Sequence, residues 1–256
     1  MTRSSGPLQK GRKRVGWSGP RPPALIWVPA ALIAAAVSLP LVYLFLRTLG
    51  AQREIWELLF RARTLQVLGR TVILIIGVTG FSIAVSLPLA WLTIRTDLPL
   101  RRLWSVLAVL PLVIPSYVAG LVVVAALGPR GMLQSILEPL FGLERLPEIY
   151  GFPGALITIL IVSYPYALLP LQAALRGLDP SLEEASRSLG YNSWQTFWRT
   201  VLPQLRPALA AGTLMVALYT LRDFGAVSLL RYETFTWTIY LQYQTSFDRT
   251  LAAALS

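Results

Sequence analysis

Cysteine and histidine are both absent from these 256 residues. Without them no disulfide framework, no Cys/His zinc site and no thiol nucleophile can form, and the commonest general base is missing. A metal site would have to be built from carboxylates and tyrosines, and none is assigned. No Gly-Lys pair followed by Ser or Thr occurs anywhere, so the phosphate-binding loop of nucleotide hydrolases is excluded. Charge is scarce too. Only 14% of residues are charged, against about 25% in an ordinary soluble domain. Lysine occurs only at Lys10 and Lys13.

What fills the sequence instead is apolar: 55% of residues are hydrophobic and the mean hydropathy is +0.59. A net charge of +11 would suit a nucleic-acid binder. The arginines, however, lie in short stretches between long apolar runs, as charges flanking membrane spans do, and form no phosphate-binding face. Nucleic acid is therefore not an expected partner, whereas membrane lipid is.

A hydrocarbon core about 30 Å thick takes about 20 apolar helical residues to cross. Five stretches qualify: 24–46, 70–94, 103–127, 153–175 and 204–221. None has a charge at its centre, where one arginine costs about 2.5–3.5 kcal/mol. The fold class is thus all-α, a polytopic transmembrane helical bundle. A final run from Thr250 to Ser256 reads as the start of a sixth helix, so the chain is expected to be one piece of a longer polypeptide. Residues 1–23, with four glycines, four prolines and a basic cluster, read as a disordered cytoplasmic tail. The apolar run after it exceeds the 7–15 residues of a signal peptide, which favours a retained anchor. Residues 24–256 form the membrane domain.

With the tail inside the cell, the inner loops hold 13 Arg/Lys against 4 Asp/Glu, and the outer loops 10 against 8. The positive-inside bias is modest but has the right sign.

The long inner segment 177–203 carries more design than a connector requires. Asp179 reads as an N-cap with Pro180 at the first helical position. Glu183 and Glu184 complement the helix dipole, and Gly190 is a left-handed stop. Asn192 and Gln195 read as a capping box for a second helix, whose Trp194, Phe197, Trp198 and Val201 share one apolar face. An interfacial helix resting on lipid headgroups would explain the tryptophans. The acidic, small-residue first helix suits a protein partner better.

The string Glu184-Ala185-Ser186-x3-Gly190, followed after nine residues by Thr200-Val201-Leu202-Pro203, resembles the EAA loop of ABC importer permeases of the binding-protein-dependent, MetI-like type. Ser186 stands where a second alanine is usual, and Thr200 where an aliphatic residue is usual. Leu110 to Tyr117, Tyr150 to Gly154, Asp223 to Val227 and Thr245 to Arg249 are similar to the N-terminal half of ferric-iron transport permeases. The resemblance implies that Asp179, Pro180, Glu183, Glu184, Ala185, Ser186, Gly190, Trp194, Leu202 and Pro203 form a coupling loop that docks on a cytoplasmic ABC ATPase dimer. It further implies that ATP is used by that partner, that no cofactor is bound by this chain, and that a periplasmic substrate-binding protein and a second permease half complete the assembly. The implied location is the bacterial inner membrane, multi-pass, with the N-terminus cytoplasmic. Related permeases for thiamine, polyamines or sulfate share the loop. A non-transport scaffold and a lipid-modifying membrane enzyme are the readings from other classes.

A path for solute is sought at the prolines. Pro111 and Pro115 in the third span, and Pro165 and Pro170 in the fourth, free backbone carbonyls. Ser116, Tyr117, Ser163, Tyr164 and Tyr166 lie beside them and are candidate path residues; packing kinks are the alternative. Arg222 and Asp223 read as an interfacial pair at the outer mouth. Tyr232, Phe235, Trp237, Tyr240 and Tyr243 read as a boundary belt or a surface for the binding protein, with Glu233 a conceivable iron ligand among them.

Overall fold

A computed structural model of the chain describes residues 24–49, 62–129, 131–142 and 147–245. The basic tail, Tyr243's side chain and the run 250–256 lie outside the described residues. Every described element is helical: α1 (Ala24–Leu49), α2 (Ala62–Arg95), α3 (Arg101–Leu107), a 3-10 turn (Leu110–Val113), α4 (Ser116–Leu127), α5 (Met132–Phe141), α6 (Phe152–Gly177), α7 (Pro180–Ser188), α8 (Ser193–Thr196), a π-helical turn (Phe197–Val201), α9 (Leu202–Arg222), α10 (Gly225–Leu229) and α11 (Phe235–Thr245).

Polarity runs inside out, as a bilayer requires. Thr71, Ser82, Ser86, Thr93, Thr158, Ser163 and Gln172 are buried, while Ile73, Ile76, Phe81, Val122 and Leu214 are exposed. In water this arrangement would forfeit the hydrophobic effect; in lipid the exposed aliphatics meet their own kind, and small polar residues let helices approach closely. Gly212 shows how close: a Cβ there would lie 2.9 Å from the Cα of Ala167.

Helices α2, α6 and α9 make the core. Ser86 Oγ donates to the carbonyl of Tyr164 at 2.9 Å, and Gln172 Nε2 donates to Thr93 Oγ1 at 3.1 Å, so α2 and α6 run parallel. α9 returns against them. One apolar cluster joins Leu74, Val78, Ala155, Ile159 and Val216, and a second joins Ala90, Leu168, Leu171, Leu175 and Leu205. The bundle has two ends: Arg95, the 97–102 turn and the 178–202 segment share one, while Arg70, Gly151 and Tyr232 share the other.

Among the described residues, four segments are long and apolar enough to cross a membrane: Ala62–Arg95, Ser116–Pro139, Phe152–Gly177 and Ser193–Arg222. The first predicted span is the helix α1, whose described side chains are all exposed. The third differs from expectation. Instead of one helix over 103–127, the chain forms α3, the 3-10 turn and α4, with Ile114 extended at φ −82° and ψ 121° before Pro115. Proline disfavours the helical region at the residue before it, and the Pro115 ring would meet the Pro111 carbonyl four residues back while offering it no N–H, so the helix does not run on past the 3-10 turn. The segment after α9, read as outer, polar and aromatic, is likewise built into two short helices, α10 and α11.

Candidate functional site

The segment 177–203 folds as its local chemistry dictates. Asp179 Oδ1 accepts the Ser181 N–H at 2.9 Å, and Pro180 opens α7. That backbone hydrogen bond holds the exposed Asp179 carboxyl below its ordinary range, since it stabilises the ionised form. At the far end of α7 the Tyr191 N–H reaches the Ser186 carbonyl at 3.3 Å, and the Gly190 N–H reaches Arg187 at 2.9 Å. These two bonds close a Schellman motif around Gly190, whose φ of +87° suits a residue without a side chain.

The capping box also forms. Asn192 Oδ1 accepts the Gln195 N–H at 2.8 Å, and Gln195 Oε1 accepts the Asn192 N–H at 3.1 Å. The second helix does not stop before the span, however. It widens into the π turn Phe197–Val201, closed by the Leu202 N–H on the Phe197 carbonyl, and runs on into α9. The wider turn sits just where Pro203 cannot donate, so the arm enters the membrane helix without a break. Leu202 and Pro203 are both half-buried there.

Three hydroxyls lock the two halves of the segment together. Ser186 Oγ lies 3.1 Å from Thr196 Oγ1, and Thr200 Oγ1 donates to Ser186 Oγ at 3.2 Å. Ser186 and Thr196 are buried. Glu183 turns inward as well, its Oε1 3.0 Å from Nη2 of Arg95, with under a fifth of either side chain exposed. The same nitrogen reaches the Leu178 carbonyl at 3.4 Å. What α7 leaves exposed is Pro180, Ser181, Leu182, Glu184, Ala185, Arg187 and Ser188, with Leu189 just beyond its end: a ridge of apolar side chains, Leu182, Ala185 and Leu189, flanked by one carboxylate and one guanidinium.

Trp194 takes another place than α7's exposed face. With Trp198, Phe197 and Ser193 it meets Leu87, Pro88, Trp91 and Leu92 around an apolar groove of about 630 Å³. The Trp91 and Phe197 rings stand edge to face at 5.1 Å.

The candidate path residues divide into separate places. Pro111 lies in the 3-10 turn, and Pro115 caps α4. Ser116 hydrogen-bonds Asp223 and Tyr219, and the Tyr219 and Tyr166 rings lie 5.1 Å apart. Tyr117, beside Ser116, is half exposed. Tyr164 instead borders a cavity of about 300 Å³ with Leu89, Thr93 and Trp104. Ser163 is buried with its hydroxyl unpartnered among the described residues. Only Ser116, Tyr117, Tyr166, Tyr219 and Asp223 therefore make a group.

Asp223 is not the half of an interfacial ion pair that its position beside Arg222 suggests. It is buried, and its Oδ1 accepts the Ala226 N–H at 3.0 Å, while the Arg222 guanidinium lies 5.7 Å over the Tyr219 ring. Adjacent residues at a helix end point in different directions. Gly225 completes the knot: a Cβ there would lie 2.8 Å from Ser116 Oγ and 3.0 Å from the Tyr117 nitrogen. Glu233, read as a conceivable iron ligand, pairs with Arg70 at 3.2 Å and Arg63 at 3.9 Å. The Tyr232 hydroxyl donates to the Arg70 carbonyl. Among the described residues no three acidic side chains converge.

Sequence reasoning missed Arg95 and Thr196. Arg95 carries no local signal for a partner so distant in the chain. Thr196 had one: its hydroxyl lies in the chain between the two unusual hydroxyls at 186 and 200, which can serve it as partners.

Comparison with known proteins agrees with this geometry. Residues 82–256 match the family described as the inner membrane component of binding-protein-dependent transport systems. The Fe(3+)-transport system permease protein FbpB 2 of Haemophilus influenzae is 36% identical over 238 residues, which is 92% of this chain and 43% of that protein. The sulfate transport system permease protein CysW of Synechococcus elongatus is 33% identical over 155 residues, 57% of this chain and 53% of its own. The molybdenum permease ModB of Escherichia coli K12 is 32% identical over 117 residues, covering 46% and 50%. The chain thus spans about half the length of these relatives. A bacterial ABC transporter that imports alginate shares the fold, with a TM-score of 0.60 at 17% identity over 90% of this chain and 88% of that one. With its apolar helices and inside-out polarity, the chain belongs to the family of inner-membrane components of binding-protein-dependent transport systems.

Proposed function

We infer that the chain is one permease half of an ATP-driven importer, and that its solute is ferric iron. The observation that carries the inference is α7: a helix capped at both ends, held rigid from behind, and presenting Leu182, Glu184, Ala185 and Leu189 to a partner. A loop that only joined two spans would need neither the caps nor the buried hydroxyls. In this reading the 177–203 segment is cytoplasmic and docks on an ABC ATPase, the N-terminus is cytoplasmic, and ATP is hydrolysed on that partner.

ATP closure of two ATPase subunits pulls on α7, and the membrane helices rock to open the path to the other side. Such a switch needs a partner that binds the two states with different affinity. A second permease half supplies the other wall of the path. A periplasmic binding protein delivers the solute; the alginate transporter of like fold has been crystallised in complex with its own alginate-bound periplasmic protein. Ferric iron is favoured by the relative that matches most of this chain.

The test is to purify the intact protein from its own membrane and assay the ATPase that accompanies it. Stimulation by a ferric-loaded binding protein supports the reading. Stimulation only by a sulfate- or molybdate-loaded one reassigns the solute. A lone, inactive permease refutes the importer.

A further inference from the structure

Arg95 holds a place that none of the loop residues holds. It is the last residue of α2. Its guanidinium reaches Glu183 in the first turn of α7 at 3.0 Å and the carbonyl of Leu178, the residue capping α6, at 3.4 Å. One side chain therefore joins the ends of three helices. The helix dipoles favour the arrangement, since a cation closes the C-termini of α2 and α6 while a carboxylate opens α7. Both contacts are made by one guanidinium nitrogen, Nη2, which carries two N–H groups on a rigid planar head.

The contact is also sheltered. The Arg95 and Glu183 side chains are only 18% and 16% exposed; their contact is an ion pair, and both the Arg95 Nε and the Glu183 Oε1 are buried without a hydrogen-bond partner among the described residues. Leaving such a donor unsatisfied is unfavourable, which argues against a pair that merely decorates a surface. Behind it α2 is fastened to α6 by Ser86 on Tyr164 and by Gln172 on Thr93. The hydroxyls of Ser186, Thr196 and Thr200 fasten α7 to the arm of α9. A pull on α7 thus reaches α9 through one set of bonds, and α2 and α6 through Arg95.

We propose that Arg95 is a positioning residue for energy coupling, which acts through Glu183 to transmit movement of the docking helix into α2 and α6. The proposal rests on the importer reading above. It differs from a docking role, because Arg95 lies behind α7 and takes no part in the exposed ridge.

The experiment uses the whole importer in proteoliposomes, with its ATPase and loaded binding protein. Arg95→Gln, Glu183→Gln and the double variant are compared for ATPase co-purification, ATPase rate with and without loaded binding protein, and uptake. Allosteric couplings typically span about 5- to 150-fold, so Arg95→Gln is expected to lower the stimulation ratio and uptake by at least about fivefold. Its co-purified ATPase should be unchanged. The double variant should lose no more than the worse single, because both remove one linkage. Arg95→Lys, which keeps the charge, should fall between wild type and Arg95→Gln, and serves where the glutamine fails to insert. Full stimulation in Arg95→Gln, loss of the ATPase from it, or losses that multiply in the double variant each overturn the proposal. A wild-type protein that brings no ATPase sinks the importer reading itself.

Discussion

The Thr200 hydroxyl donates to the Ser186 hydroxyl at 3.2 Å, and these are the two positions at which the loop departs from the pattern it resembles. Alanine and an aliphatic residue at the two sites would meet as an apolar pair. Serine and threonine meet as a hydrogen-bonded pair, with Thr196 as third member. Ser186 is the hub: losing it leaves the buried Thr196 hydroxyl and the Thr200 hydroxyl without this partner, whereas losing Thr200 alone leaves the Ser186–Thr196 pair in place.

Thermal unfolding in detergent checks this. Ser186→Ala alone should destabilise by about 1–3 kcal/mol, the usual penalty for leaving a buried polar group unpaired. Thr200→Val added to it should cost little more, and the two changes should depart from additivity by about 0.5 kcal/mol or more, as contacting residues do. Strict additivity would mean that the two hydroxyls do not interact.

Gly190 tests the bend. A side chain there meets open space but must adopt a φ of +87°, which costs an L-residue about 1–2 kcal/mol. Gly190→Val should insert normally yet separate ATP hydrolysis from uptake, whereas Gly190→Asn, which tolerates the left-handed region, should stay near wild type. Proteoliposome uptake set against ATPase rate measures both. Normal uptake by the valine variant would remove the bend from the mechanism.

Gly225→Ala should destabilise by about 1–3 kcal/mol, the range for overpacking, because its Cβ strikes the start of α4 at Ser116 and Tyr117. Gly69→Ala is the internal control, with nothing within 4 Å of the added carbon. Equal thermal shifts in the two variants would contradict the close approach of α10 to α4.

What the sequence discloses and what it hides divide along chain distance. Asp179, Gly190, Asn192 and Gln195 are legible because a cap is made by groups a few residues apart, and residue type decides it. The apolar spans at 70–94, 153–175 and 204–221 are legible for the same reason: composition alone sets the solvent they need. The 103–127 span is misjudged because hydropathy is blind to backbone, and Pro111 with Pro115 breaks a stretch that is greasy enough to cross. Asp223 reads as one of a surface pair because its burial follows from how α10 folds back onto α4. Glu183 reads as a dipole partner and, by resemblance, as part of the docking loop, since nothing near it in sequence announces Arg95. Trp194 reads as part of the coupling loop, and its place at the groove beside Trp91 follows from a contact distant in the chain.

The account stands on α7 facing the cytoplasm. This sequence contains no cysteine, so Ser188→Cys places a single thiol on the exposed end of α7. Labelling with a membrane-impermeant maleimide should fail in intact cells and succeed in inside-out vesicles, with the ATPase bound shielding it in part. Labelling from outside intact cells would put the segment on the wrong side of the membrane, and no ATPase could then pull it.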